Sequence, residues 1–214
     1  MASKTQALLD LLDGQPVIPV LKITELAHAV PLARALAKGG LRVIEVTLRT
    51  KIALEAIRAA VAEVPEAVVG AGTILNPKQF DEAAQAGSQF IVSPGLTREL
   101  ASAAATSPVP LLPGAITPSE IMAAAEAGID FLKFFPAEQA GGAAFLKSLA
   151  SPFAGIRFCP TGGVSAKNAI DYLSLPNVVC VGGSWVAPDE LLADGKWDQV
   201  EALAREASKL ARKG

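Results

Sequence analysis

The stretch Val43-Ile44-Glu45-Val46-Thr47-Leu48-Arg49, followed by Ile52–Glu63 and then Val68-Val69-Gly70-Ala71-Gly72, decides the fold. Val43–Leu48 and Val68–Gly72 are short, rich in β-branched residues and read as strands. Ile52–Glu63 is Ala-rich with apolar residues at helical spacing. The order is therefore strand, helix, strand, with little chain left over for loops.

The same unit recurs along the chain. Apolar runs stand at Val17–Leu21, Phe90–Val92, Val109–Leu112, Phe131–Phe135, Ile156–Cys159 and Val178–Val181 besides the two above. Amphipathic segments lie between them at Glu25–Lys38, Pro77–Ala86, Arg98–Ala104, Pro118–Ala127, Ala143–Leu149 and Ser165–Leu173, with a last helix over Trp197–Arg212. Thr24, Asn76, Thr97, Thr117 and Ser165 are placed as N-caps, and Pro77 and Pro118 at first helical positions. Gly39, Gly87 and Gly128 are placed as helix stops. Pro31 falls inside the first helical pattern and predicts a kink or a late start.

Apolar strands alternating with helices imply a parallel sheet with helices outside it. Eight such units predict a (β/α)₈ barrel, an α/β fold. The 214 residues are short for that fold, whose range is about 200 to over 400. One compact domain over 1–214 with minimal loops is expected. A doubly wound sheet is the alternative, and it would carry a Gly-rich turn after its first strand. Here that strand ends in Val20-Leu21-Lys22, which favours the barrel.

Composition narrows the function. Apolar residues make up 51 % and charged ones 19 %, with net charge −2, so disorder is excluded. The near balance of charge gives no footprint for nucleic acid, and 5 % aromatic residues give no base-stacking surface. The mean hydropathy of +0.39 calls for a check on membrane spans. The longest uncharged stretch, Leu100–Ser119, is broken by Pro108, Pro110, Pro113 and Pro118. The N-terminal segment has acids within its apolar run and does not read as a signal peptide. Cys159 and Cys180 sit in strand-like runs and read as buried small hydrophobes of a reducing, cytoplasmic protein. The chain has 1 histidine, His28, on a helix. A catalytic zinc site usually takes two or three. Acid–base work is therefore expected from carboxylates and lysines.

Two strands break the apolar rule. In the second, Glu45, Thr47 and Arg49 share a face with Val43, while Ile44, Val46 and Leu48 share the other. In a barrel the polar set would point inward and rise toward the C-terminal mouth, where active sites of this fold lie. A Glu–Arg pair that only plugs the barrel is the alternative, although burying charge is costly even when paired. In the sixth strand Lys133 is flanked by Phe131, Leu132, Phe134 and Phe135. Burial disfavours the charged form of an amine, and the free amine is what adds to a carbonyl. A lysine snorkelling from a strand end is the alternative. Lys22 is the one rival nucleophile. Strands seven and eight end in Thr161-Gly162-Gly163 and Gly182-Gly183-Ser184. Loops at those positions of a barrel frequently hold phosphate.

These residues carry a resemblance. Glu45–Thr50, Val69–Thr73, Ser93-Pro94-Gly95, Phe131–Glu138 and Arg157–Gly163 resemble the 2-keto-3-deoxy-6-phosphogluconate (KDPG) aldolase family, which also covers 4-hydroxy-2-oxoglutarate aldolase. The resemblance implies a metal-free, cofactor-free class I aldolase on a (β/α)₈ barrel, a homotrimer, acting in the Entner–Doudoroff route. It implies Lys133 as Schiff-base lysine and Glu45 as general acid/base. It places Arg49 and Thr73 at the substrate carboxylate, Pro94 and Phe135 along the pocket, and Thr161, Gly162, Gly163 and Ser184 at the polar and phosphate end, to which the place of Gly182 and Gly183 after strand eight adds those two glycines. The expected substrate is a phosphorylated 2-oxo sugar acid, cleaved to pyruvate and glyceraldehyde 3-phosphate. Other expectations kept open are an aldolase for another 2-oxo acid, such as 4-hydroxy-2-oxoglutarate or the galactonate analogue, a phosphosugar isomerase, and a non-catalytic sensor.

Overall fold

A computed structural model describes residues 4–210. The last residues of the helix expected over 197–212 therefore lie outside the described residues. The described residues contain eight parallel strands: β1 (Val17–Leu21), β2 (Val43–Thr47), β3 (Val68–Gly72), β4 (Ile91–Ser93), β5 (Leu111–Pro113), β6 (Phe131–Phe134), β7 (Arg157–Pro160) and β8 (Val181–Gly183). Among the described residues six of them form one curled sheet in the order β5-β4-β3-β2-β1-β8, and β6 pairs with β7. Single bridges join Gly114 to Lys133, Phe158 to Val178 and Thr161 to Gly182, spanning the gaps between the two sheets.

The helices are α1 (Lys4–Leu11), α2 (Ala29–Lys38), α3 (Ala53–Glu63), α4 (Pro77–Gln85), α5 (Arg98–Thr106), α6 (Pro118–Glu126), α7 (Gly142–Leu149), α8 (Ala169–Leu173), α9 (Asp189–Ala193) and α10 (Trp197–Ala207). Pro31 produces the late start. A 3-10 turn covers Leu26–His28, and α2 opens at Ala29, so Pro31 sits among the first N–H positions, which have no partner in any helix. Asn76, Thr97 and Thr117 accept the N–H of Gln79, Leu100 and Glu120 at 3.0, 3.1 and 3.3 Å, as caps should. Thr24 and Ser165 do not cap. α2 starts after His28 and α8 after Asn168, because the chain at 165–168 turns instead, with Asn168 Oδ1 accepting the Ser165 N–H at 2.7 Å. α1 and α9 have no counterpart in the sequence reading.

Period-two alternation divides the core in two. Ile44, Val46, Val69, Ala71, Leu132 and Phe134 pack toward the helices in the larger cluster. Ile18, Val43, Phe90, Val92, Leu112, Phe131 and Cys159 form the smaller one, on the strand face that also carries Glu45 and Lys133. Leu8 and Leu12 close the smaller cluster, and Lys4 Nζ ties α1 to α5 by donating to the Ala105 carbonyl at 2.6 Å. The charged pair thus rests on an apolar floor. Among the described residues no helix is long and apolar enough to cross a membrane.

Candidate active site

A cavity of about 260 Å³ opens at the C-terminal ends of the strands. Glu45, Arg49, Thr73, Pro94, Lys133, Phe135, Thr161, Gly162, Gly163, Gly182, Gly183 and Ser184 all line it. Residues more than a hundred positions apart in the chain therefore meet at one place. Val20, Thr47 and Val164 line it too. Thr47 stands where the alternation of β2 placed it, between Glu45 and Arg49 on the inward polar face, without having been given a role, and Val20 and Val164 carry no sequence signal. A larger cavity of about 490 Å³ lies at the opposite end, beside α1, with Asp10, Asp13, Gln15 and Arg157 in its wall. Its guanidinium is already paired, Arg157 to Asp130 at 3.2 Å, and among the described residues its wall holds no lysine, cysteine, serine or threonine to add to a carbonyl. The chemistry therefore belongs to the smaller cavity.

Lys133 and Glu45 form the centre. Lys133 Nζ stands 3.3 Å from Glu45 Oε1, with the two residues 6 % and 3 % exposed. Lys133 lies in mid-strand between Leu132 and Phe134, both buried against the helices, so alternation leaves its side chain only the opposite face. Lys133 Nζ is also 5.4 Å from the centre of the Phe135 ring. Glu45 pairs with this lysine, while Arg49 Nε donates to Thr47 Oγ1 at 2.9 Å. The Glu–Arg plug is thus not what the structure contains. Thr73, one residue past β3, has φ +60°. A β-branched residue seldom adopts this conformation, and the cost is on the order of 1–3 kcal/mol. Ser93 Oγ donates to the Gly95 carbonyl at 2.7 Å and fixes the turn that carries Pro94.

The other end of the cavity is built from backbone. Gly162 and Gly163 have φ +97° and +76°, which only glycine accepts freely. Asn168 Nδ2 donates to the Gly163 carbonyl at 3.1 Å. Glu138 packs on the far side, where a Cβ at Gly163 would fall 2.7 Å from the Glu138 Cβ. The Tyr172 hydroxyl donates to Glu138 Oε1, and burial, followed by this bond to the carboxylate, pushes the Tyr172 phenol well above the ordinary tyrosine range. The backbone N–H groups of Gly163, Val164 and Ser184 find no acceptor among the described residues, while that of Gly162 faces the Gly182 carbonyl in the bridge between β7 and β8. Three such donors around one concavity suit an anion. No group of three or more His, Cys, Asp and Glu among the described residues could hold a metal ion.

Residues 9–203 match the family model for KDPG and KHG aldolase. The chain belongs to the KDPG and KHG aldolase family. It is 54 % identical over 197 residues to the 2-dehydro-3-deoxy-phosphogluconate aldolase of Dickeya dadantii, covering 92 % of each chain. To the KHG/KDPG aldolase of Escherichia coli K12 it is 53 % identical over the same share. Among solved structures it is similar to the KDPG aldolase of Legionella pneumophila holding pyruvate as a covalent carbinolamine, with TM-score 0.93 and 44 % identity over 97 % of this chain and 100 % of that one. The Zymomonas mobilis KDPG aldolase with 3-phosphoglycerate gives TM-score 0.90 and 49 % identity over 96 % and 97 %. As a member of the KDPG and KHG aldolase family, the chain is a carbon–carbon lyase of the class I type. The buried lysine and carboxylate are the equipment that such a reaction needs.

Proposed function

We propose that this chain reversibly cleaves 2-dehydro-3-deoxy-6-phosphogluconate to pyruvate and glyceraldehyde 3-phosphate, with Lys133 as nucleophile and Glu45 as proton carrier. The observation that carries this is the 3.3 Å pair of Lys133 and Glu45 at the floor of the cavity. The amine of Lys133 adds to the C2 ketone, and the carbinolamine loses water to give a protonated imine. Glu45 takes the C4 hydroxyl proton as the C3–C4 bond breaks. The bonding electrons move toward the imine nitrogen, leaving an enamine and releasing the aldehyde. Glu45 then returns its proton to C3, and water hydrolyses the imine to pyruvate. One carboxylate serves as base and then as acid.

Arg49 and Thr73 receive the substrate carboxylate, the guanidinium in bidentate fashion. Pro94 and Phe135 border the carbon chain. Thr161, Gly162, Gly163, Gly182, Gly183 and Ser184 receive the phosphate, supported by the unfilled N–H groups there. Binding energy from that remote end is used to orient the reacting carbons. No metal or organic cofactor enters these steps, since the imine is the electron sink. The relative named KHG/KDPG aldolase also favours 4-hydroxy-2-oxoglutarate as a second substrate.

The same reading takes residues 1–214 as one domain and the eight strands as a closed (β/α)₈ barrel, supported by the bridges at Gly114, Phe158 and Thr161. It takes the enzyme as a cytoplasmic homotrimer. The trimer is supported by the family resemblance. The decisive experiment is incubation with pyruvate, reduction with borohydride, and mass measurement of the protein and its peptides. A pyruvyl adduct on Lys133 is expected. An absent adduct, or one on Lys22, overturns the proposal.

A further inference from the structure

Thr47 lies on the polar face of β2 between Glu45 and Arg49 and is 1 % exposed. Its hydroxyl makes two bonds of fixed direction. The nitrogen Nε of Arg49 can only donate, so at 2.9 Å Thr47 Oγ1 must accept. The hydroxyl proton is then directed to the Leu21 carbonyl, 2.7 Å away at the end of β1. Leu21, Thr47 and Arg49 thus form a chain from the backbone of one strand to a guanidinium at the end of the next.

The chain has a consequence for recognition. Arg49 is exposed, and among the described residues no carboxylate pairs with it. A long exposed side chain loses rotamer freedom when it clamps a ligand. Holding Nε fixes the plane of the guanidinium beforehand and leaves its two terminal nitrogens, the edge that suits a carboxylate.

We propose that Thr47 is a positioning residue, which orients Arg49 for the substrate carboxylate by bridging its Nε to the Leu21 carbonyl. This rests on the reading of Arg49 as the carboxylate anchor. Thr47→Val keeps the shape of the side chain and removes the hydroxyl. It should raise KM for the 2-oxo acid, and the pyruvate concentration that half-saturates borohydride trapping, by about tenfold, as befits one charge-assisted hydrogen bond. Turnover at saturation should change by less than about twofold, since the bond is made equally in ground and transition states. Thr47→Ser should return most of the lost affinity. In an Arg49→Ala background Thr47→Val should add little, because the residue through which it acts is gone.

If Arg49→Ala raises KM but Thr47→Val does not, the inference about Thr47 fails while Arg49 remains the anchor. If Arg49→Ala leaves KM unchanged, the reading of Arg49 itself fails. Additive effects of the two substitutions, or a loss confined to kcat, also overturn the positioning role. Thr47→Ala serves the same comparison if the valine variant does not fold.

Discussion

Glu45 fills the space that a side chain at Gly72 would need: a Cβ there would stand 2.6 Å from both Cδ and Cγ of Glu45. The two lie on neighbouring strands, with Glu45 opposite Gly70 and Thr47 opposite Gly72 in register. Gly70 in turn leaves room for the ring of Phe90 in the apolar floor. The two glycines of β3 thus accommodate a carboxylate above and an aromatic ring below. Gly72→Ala should push Glu45 away from Lys133. Steady-state turnover should fall by at least about tenfold, within the range that a displaced acid–base group costs. Pyruvate trapping on Lys133 should persist. Turnover within twofold of the parent would mean that the position of Glu45 does not matter to the reaction.

The ion pair also bears on stability. Lys133→Met removes the amine and should abolish turnover. It also leaves Glu45 without its cation on an apolar floor. Breaking a buried pair from one side costs up to about 3–5 kcal/mol. Urea unfolding at neutral pH should show a loss of that order, and adding Glu45→Gln should recover most of it. A single variant as stable as the parent would show that water in the cavity already solvates the carboxylate.

The strand faces explain what could be seen in the sequence beforehand. Glu45, Arg49 and Lys133 stood out because a charge in an apolar strand violates the pattern around it, and alternation alone then gives its direction. The glycine pairs stood out by their place after strands seven and eight. α1 and α9 did not, since helices of 8 and 5 residues are held by what they pack against. Strand ends moved for a similar reason. β8 is Val181–Gly183 rather than the apolar run before it, because pairing with Val17–Pro19 sets its limits. The partner of Glu45 was left open. Sequence offered Arg49, four residues from Glu45, as one partner and Lys133 as another, and the structure pairs it with Lys133 on β6, a strand not adjacent to β2.

Low pH should weaken the start of α6. Glu120 accepts the N–H groups of Thr117 and Ile116 at 2.8 and 2.9 Å, and these two backbone bonds hold its carboxyl below the ordinary value of 4.5. The unfolded chain therefore binds this proton more readily than the folded one. Stability from Glu120 is fully present above 4.5 and is lost as pH falls through the lowered folded value. Glu120→Gln should flatten that part of the stability–pH curve, measured by urea unfolding. Thr117→Ala, which removes the reciprocal cap, should cost roughly 0.5–2 kcal/mol at neutral pH. A parent and a Gln variant with parallel acid limbs would exclude this role.

The brace behind the glycine turn allows the two ends of the substrate to be tested separately. Tyr172 holds Glu138, Glu138 packs on Gly163, and Gly163 lines the phosphate end of the cavity. Because its ionisation is pushed upward by burial and by the Glu138 bond, the phenol remains a donor throughout the neutral range. Tyr172→Phe removes one hydrogen bond and keeps the buried ring. A freed Glu138 carboxylate beside the turn would repel a phosphate dianion, whereas a substrate without phosphate would not be affected. KM for the phosphorylated 2-oxo acid should rise by about 3- to 10-fold, the worth of one such bond, with KM for 4-hydroxy-2-oxoglutarate unchanged. Equal increases for both substrates would show that the brace supports the whole cavity rather than its phosphate end.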